Sequence, residues 1–198
     1  AGTYELLTLT HYDDYAGLPA GLSGYLSTWN SYFDNTNNND WPYPQLPQYS
    51  AAVKGLVTWA QAKVLGSSNT FINTVTYYDD KGRAIQVQST NLSGGTDVVT
   101  TQYSWAGQPL ITVQKQEKAG SNAQTLIVIS KLIYDDLGRL IKSEKKISHS
   151  QVNNGVMPPV FKTIMVAEYD KLGKKKRKEI DLSIFFSRSS LTVFYLNI

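Results

Sequence analysis

Three pairs of neighbouring carboxylates, Asp13-Asp14, Asp79-Asp80 and Asp135-Asp136, are the residues of this sequence whose types first suggest chemistry. Adjacent acids can share a proton or hold a divalent cation. Glycoside cleavage, however, needs two carboxylates facing each other across the scissile bond, and neighbours on one turn do not meet that demand. The pairs recur at one position of a repeated pattern, so turn formation is the duty they share. Asp34 to Asp40 loosely follows a calcium loop, but its sixth position is Asn39 rather than Gly and its twelfth is Gln45 rather than Glu. His11, beside Tyr12 and Asp13, has the chemistry of a base, yet no nucleophile motif accompanies it. Gly21-Leu22-Ser23-Gly24 lacks the spacing of a nucleophile elbow. The chain holds no cysteine and two histidines, His11 and His149. A disulfide framework, a thiol nucleophile, a zinc ribbon and iron–sulfur ligation are thereby excluded. No catalytic, metal-binding or cofactor-binding residue is assigned, no cofactor is expected, and the chain reads as a non-enzyme.

Charge and stacking offer a second kind of chemistry. Lys171 and the run Lys174-Lys175-Lys176-Arg177-Lys178 are the densest charge feature. Such a run suits a polyanion such as a sulfated glycan or lipopolysaccharide. Read as a strand, it places Lys174, Lys176 and Lys178 on one face by alternation. The competing duty is a charged sheet edge that resists aggregation. Trp29, Trp41, Tyr43, Trp59 and Trp105 are candidates for stacking on sugars, although core packing and loop anchoring explain most of them. Asn91-Leu92-Ser93 is a glycosylation sequon, meaningful only in a eukaryotic secretory host. The net charge of +3 is too weak to argue for nucleic acid.

What must position these residues is a repeated unit. A strand-like run ends in Tyr, a short polar stretch comes next, and Gly stands four residues after the Tyr, ahead of another strand-like run. The copies are Tyr78-Asp79-Asp80-Lys81-Gly82-Arg83, Tyr103-Ser104-Trp105-Ala106-Gly107-Gln108, Tyr134-Asp135-Asp136-Leu137-Gly138-Arg139 and Tyr169-Asp170-Lys171-Leu172-Gly173-Lys174. Their tyrosines are spaced by 25, 31 and 35 residues, so the turn stays fixed while the connections vary. A looser copy, Tyr12 to Gly17, has its Gly one residue late. The flanking runs, such as 70–78, 125–134 and 162–169, are rich in β-branched and aromatic residues and read as strands. The Asp after Tyr accepts local backbone hydrogen bonds, and the Gly supplies the left-handed residue that returns the chain with a bulge. Asp79 with Arg83, and Asp135 with Arg139, should pair at the hairpin mouth as exposed ions that set register more than stability.

The 198 residues, 41% hydrophobic and 18% charged, suffice for one domain with a core, and 13 tyrosines favour strands. No apolar run reaches the length of a membrane-spanning helix. Ala1-Gly2-Thr3-Tyr4 is not a signal peptide. The expected fold is all-β: consecutive antiparallel hairpins forming a curved sheet, with an aromatic, Asn- and Pro-rich loop insertion. Residues 1–17 are a first degenerate repeat and 18–50 the insertion, which Trp29, Tyr32, Phe33, Trp41 and Tyr43 pin to one face. Residues 51–180 are the hairpins, and 181–198 a C-terminal hairpin without the motif. Within 51–66 a helix start competes with a strand, and the alternation from Leu56 to Leu65 favours the strand.

The turn motif resembles the Tyr-Asp repeat of the Rhs family, best at Tyr134-Asp135-Asp136-Leu137-Gly138-Arg139-Leu140. The resemblance covers about Leu56 to Ile180. It implies hairpins that pair side by side into a long spiralling sheet, which in full-length relatives closes into a shell around a toxin or forms an adhesion body. By that resemblance the chain is a structural module of a secreted or cell-surface bacterial protein, a scaffold or part of an encapsulating shell. Tyr78, Asp79, Gly82, Arg83, Tyr103, Gly107, Tyr134, Asp135, Gly138, Arg139, Tyr169, Asp170 and Gly173 carry the hairpins. The alternative is an adhesion module for a glycan or polyanion using Lys174, Lys176 and Lys178. Implied partners are the remainder of a larger protein, self-association through sheet edges, or a glycan, with no nucleic acid and no membrane span. The chain departs from the family in having too few hairpins to enclose a protein-sized cavity. It also shows neither the self-cleaving core segment nor a toxin domain.

Overall fold

The structure, a computed structural model, describes residues 5–34, 43–67 and 69–180, with Lys178 as backbone only. Among the described residues eleven strands form one open, curved antiparallel sheet. They are β1 (Thr8–Asp13), β2 (Pro44–Gln45), β3 (Val53–Lys63), β4 (Phe71–Tyr78), β5 (Ala84–Thr90), β6 (Thr96–Ser104), β7 (Pro109–Lys118), β8 (Gln124–Tyr134), β9 (Leu140–His149), β10 (Lys162–Tyr169) and β11 (Lys175–Ile180). The order is β1-β3-β4-β5-β6-β7-β8-β9-β10-β11, with β2 added to the end of β6. From β3 onward each strand pairs with its sequence neighbour. The four Tyr-to-Gly turns therefore lie in a row at one end of the sheet, and the other connections lie at the opposite end. Residues 51–66 take the strand alternative as β3. The expected C-terminal hairpin of residues 181–198 lies outside the described residues.

Residues 12–17 differ from the expectation. They close no hairpin, and β1 pairs instead with β3, with Thr8 opposite Ala62 and His11 opposite Trp59. The physical reason lies just past Gly17: Leu18-Pro19-Ala20-Gly21 is turn-forming, so no return strand is available. The chain crosses one face of the sheet instead, as a strap of residues 14–34.

The core lies between strap and sheet, in two patches. Tyr15, Leu18, Leu22 and Tyr25 of the strap pack on Trp59, Val75, Tyr77 and Ile85. Trp29, Tyr32 and Phe33 pack on Leu110, Ile111, Val113 and Ile129, joined by Met157 and Phe161 from the β9–β10 connection. Of the aromatics expected to pin the insertion, Trp41 lies outside the described residues. Tyr43 does not pin it: it is 65% exposed.

The strap has no strand partner, yet its backbone is hydrogen-bonded by side-chain amides rising from the sheet. Asn73 donates to the C=O of Ala20 (2.9 Å). Gln88 accepts from the N–H of Ser23 (3.1 Å) and donates to the C=O of Gly24 (3.1 Å). Gln86 accepts from the N–H of Leu26 and donates to its C=O, both at 2.9 Å. Gln102 treats Asp34 the same way, accepting its N–H at 3.3 Å and donating to its C=O. Trp59 begins the series, its indole N–H donating to the C=O of Ala16 (2.9 Å). The strap thus crosses β3, β4, β5 and β6 in turn. An amide carries a donor and an acceptor side by side, so one Gln satisfies both backbone groups of a passing residue.

Candidate functional site

The row of turns repeats one geometry. In each, the N–H of the first turn residue donates to the C=O four residues on, and the Gly N–H donates back to the first residue: Asp79 with Arg83 and Gly82, Ser104 with Gln108 and Gly107, Asp135 with Arg139 and Gly138, Asp170 with Lys174 and Gly173. Asp79 Oδ1 accepts the N–H groups of Lys81 (3.0 Å) and Arg83 (2.8 Å), and Oδ2 takes the Arg83 Nε (2.6 Å). Asp135 does the same with Leu137 and Arg139. The backbone N–H of Arg139, its guanidinium and the N–H of Leu137 together hold the Asp135 carboxyl below its ordinary range. Ser104 replaces Asp with one acceptor, its Oγ taking the N–H of Gln108 (3.1 Å).

Neighbouring turns interlock. The hydroxyls of Tyr103, Tyr134 and Tyr169 donate to the carbonyls of Ala84, Pro109 and Leu140, each the first strand residue of the preceding hairpin's return. The basic residue closing one turn then covers the tyrosine of the next: Arg83 stands 5.0 Å from the Tyr103 ring centroid, and Arg139 stands 4.5 Å from that of Tyr169. Gln108, in the same place, donates to the C=O of Gly138 (3.3 Å). Burial raises the Tyr103 and Tyr134 hydroxyls above their ordinary range, desolvation being the main cause. Both ion pairs are less exposed than expected: the Asp135 and Arg139 side chains keep 21% and 28% of their surface. The Asp79–Arg83 pair is the more buried of the two. Its side chains keep 8% and 19% of their surface, because residues 45–50 lie beside it.

Gly138 shows what the turn demands. Its φ is +76°, and a Cβ there would stand 2.9 Å from Gln108 Nε2. Gly138→Val is expected to lower stability by about 1–3 kcal/mol, from left-handed strain alone. An unchanged thermal melt would remove this turn geometry.

Beside the first two turns lies a groove of about 400 Å³, lined by residues 45–50, Asp79, Asp80, Arg83, Ile85, Thr101 and Tyr103. Two exposed aromatics flank it in the chain, Tyr43 and Trp105, each 65% exposed. The Trp105 N–H donates to the C=O of Tyr43 (3.0 Å), and Lys81 Nζ sits 3.3 Å above the indole. Of the other aromatics considered for sugars, Trp59 is buried, Trp29 packs from the strap onto the sheet, and Trp41 lies outside the described residues.

The basic candidates do not line up as expected. Tyr169 pairs with Lys175 and Glu168 with Arg177, so Lys176 is the extra residue of a bulge. The same bulge recurs at Ile85, Leu110 and Ile141 in the other Tyr-turn hairpins. A bulge breaks the two-residue alternation, so the single-faced row expected from Lys174 onward is interrupted at Lys176. Lys174 instead closes the last turn, its N–H donating to Asp170 (2.8 Å).

The other candidates have structural partners. His11 stacks on Trp59 with centroids 4.7 Å apart, and its Nδ1 meets Thr58 Oγ1 at 3.1 Å. Asp13 accepts the N–H of Gly55 (2.5 Å), and Asp14 that of Ala16 (2.8 Å). The carboxylate pairs thus serve separate turns and converge on no common point. Most of the calcium-like stretch, residues 35–42, lies outside the described residues. Among the described residues no group of three or more His, Asp or Glu side chains is placed to hold a metal ion. No helix among them is long and apolar enough to cross a membrane. The sequon residue Asn91 closes the β5–β6 turn as Asp79 closes its own, accepting the N–H groups of Ser93 and Gly95. Its Nδ2 is engaged by Asp97 Oδ1 (3.1 Å) and the C=O of Glu117 (2.7 Å), so a glycan on that nitrogen would displace both.

Two features carry no sequence motif: the amide row under the strap and the groove beside the first turns. The chain as a whole matches no family model, no curated protein and no solved structure.

Proposed function

We propose that the chain is a non-catalytic structural module, a stretch of hairpin sheet from a secreted or cell-surface protein of the Rhs type, serving as scaffold or shell wall. The observation that carries this reading is the interlock. The motif groups that could have acted on a ligand are occupied: the Asp79 and Asp135 carboxylates close their own turns, and the Tyr103, Tyr134 and Tyr169 hydroxyls join one hairpin to the next. A second reading, glycan adhesion, is favoured by Trp105 and Tyr43, which stand outside the core beside a polar groove.

A glycan array that includes sulfated and bacterial surface sugars, run at physiological salt, separates the two. A scaffold leaves the array blank. A reproducible hit abolished by Trp105→Ala would replace the scaffold with the groove-side adhesin. A hit that fades with salt and is lost in a Lys174/Lys176/Lys178 triple alanine variant would replace it with polyanion binding at the basic strand.

A further inference from the structure

The two outer strands of the described sheet are built differently. β11 carries Lys175, Lys176, Arg177 and Lys178 in succession, and such a row of cations opposes pairing with a like strand. β1 has no such row: its one charged residue, Asp13, lies past the register shift and accepts the N–H of Gly55. From Leu6 to Tyr12 the chain reads Leu-Leu-Thr-Leu-Thr-His-Tyr, without an acid, a Lys, an Arg, a Pro or a Gly. Exposed apolar side chains gather there: Leu6, Leu7, Leu9 and Tyr12 are each 40–52% exposed, and Val57 of β3 is 37% exposed beside them. Among the described residues β1 is hydrogen-bonded on one side only, to β3.

The register tells which backbone groups face the open side. Lys63 donates its N–H to the C=O of Leu7 (2.8 Å), which makes these two a hydrogen-bonded pair. By antiparallel alternation Leu9 with Gln61 and His11 with Trp59 are hydrogen-bonded pairs as well. The N–H and C=O groups of Thr8 and Thr10 therefore point away from β3. Pairing is regular up to His11 and shifts after it. The midpoint of the regular stretch from Leu7 to His11 is Leu9.

We propose that two copies of the chain join through β1, antiparallel, about a twofold axis at Leu9, making one continuous sheet. Thr8 of each copy exchanges backbone hydrogen bonds with Thr10 of the other. The two Leu9 side chains meet at the close, non-hydrogen-bonded position, and each Leu7 faces the other copy's His11. The occupant is a second copy because the paired stretch, Leu6 to Tyr12, carries no acid, Lys or Arg and is its own complement. Pairing β11 with β11 would oppose lysines, and pairing β1 with β11 would set leucines against cations. The interface is isologous, so assembly stops at two.

The absence of native cysteine makes the test clean. Leu9→Cys puts one thiol in each chain, and across the axis the two Cα atoms stand about 4.5 Å apart, within reach of a disulfide. Mild oxidation is expected to convert this variant to a covalent species of twice 22.1 kDa, while Arg177→Cys on the opposite edge stays at 22.1 kDa. Thr10→Pro removes an N–H that β3 does not use, so the variant should fold with an unchanged melt and scatter light as a single chain, where the parent scatters as a dimer. A parent that remains a single chain at high concentration, or equal cross-linking of the two cysteine variants, would overturn the proposal.

Discussion

Tyr77→Ala is expected to destabilise the protein by about 4 kcal/mol, the cost of deleting a buried aromatic and leaving its cavity. Tyr77 is 2% exposed and sits where three strap-side rings converge. Tyr15 stacks on it at 4.7 Å, while Tyr25 and Tyr49 approach edge-on at 5.9 and 5.6 Å. Its hydroxyl donates to the C=O of Ser23 (2.8 Å), tying the ring's far end to the strap backbone. Burial pushes that hydroxyl up to about 12, with the neighbouring phenols adding to the effect. For a chain of this length the loss corresponds to a fall in Tm of roughly 10 °C. Tyr77→Phe keeps the ring and loses one hydrogen bond, so its cost should be about 1 kcal/mol. Thermal melts of the two variants check the account. Equal, small effects would mean that the strap does not bear on this ring.

Gln86→Leu is the second large effect. Leucine fits the volume and suits a site that is 1% exposed, so hydrophobicity alone favours the change. The hydrogen bonds argue the other way. Gln86 satisfies both backbone groups of Leu26, donates to Thr100 Oγ1 (2.9 Å) and accepts from Gln88 Nε2 (3.0 Å). Leucine leaves the N–H and C=O of Leu26 facing methyl groups, and each orphaned group costs about 1–3 kcal/mol. The expected loss is about 2–4 kcal/mol, measured by urea unfolding. Gln86→Glu should fare no better, since a carboxylate accepts the Leu26 N–H but cannot donate to its C=O. A neutral or stabilising Gln86→Leu would mean that the strap is not held by this amide.

The hairpins were legible because their signal is local. Tyr, Asp and Gly at fixed offsets close a turn with its own backbone, and alternating β-branched runs on either side leave one way to pair. The strand at residues 53–63 rests on the same alternation. Pairing of β1 with β3 was not legible, because it joins segments some forty residues apart and no motif in either strand names the other. Alternation carried through a bulge makes the basic strand look like a single-faced row, which the bulge at Lys176 interrupts. The bulge shows in the burial of the equivalent hairpins. Ile85-Gln86 and Leu110-Ile111 are consecutive buried neighbours at the place where Lys176-Arg177 stands.

The amide row escapes notice for a related reason. A Gln in a strand reads as solvent-facing unless parity is tracked. Asn73 falls in step with the buried Val75 and Tyr77, and Gln102 in step with the buried Val98 and Thr100. Those amides therefore belong to the core face, where an apolar residue would be the default. Four amides on that face call for a backbone to bind, and the Gly- and Ser-rich segment before Trp29 has no strand partners of its own among the described residues.

As a scaffold requires, strap and interlocked hairpins form one cooperative body. Native-state hydrogen exchange, read residue by residue, tests it most directly. The amides of Ser23, Leu26 and Asp34 should open with the same free energy as those of Val75 and Val113 in the sheet. Exchange of those three amides at the rate of an unstructured peptide, with β4 to β7 still protected, would contradict it.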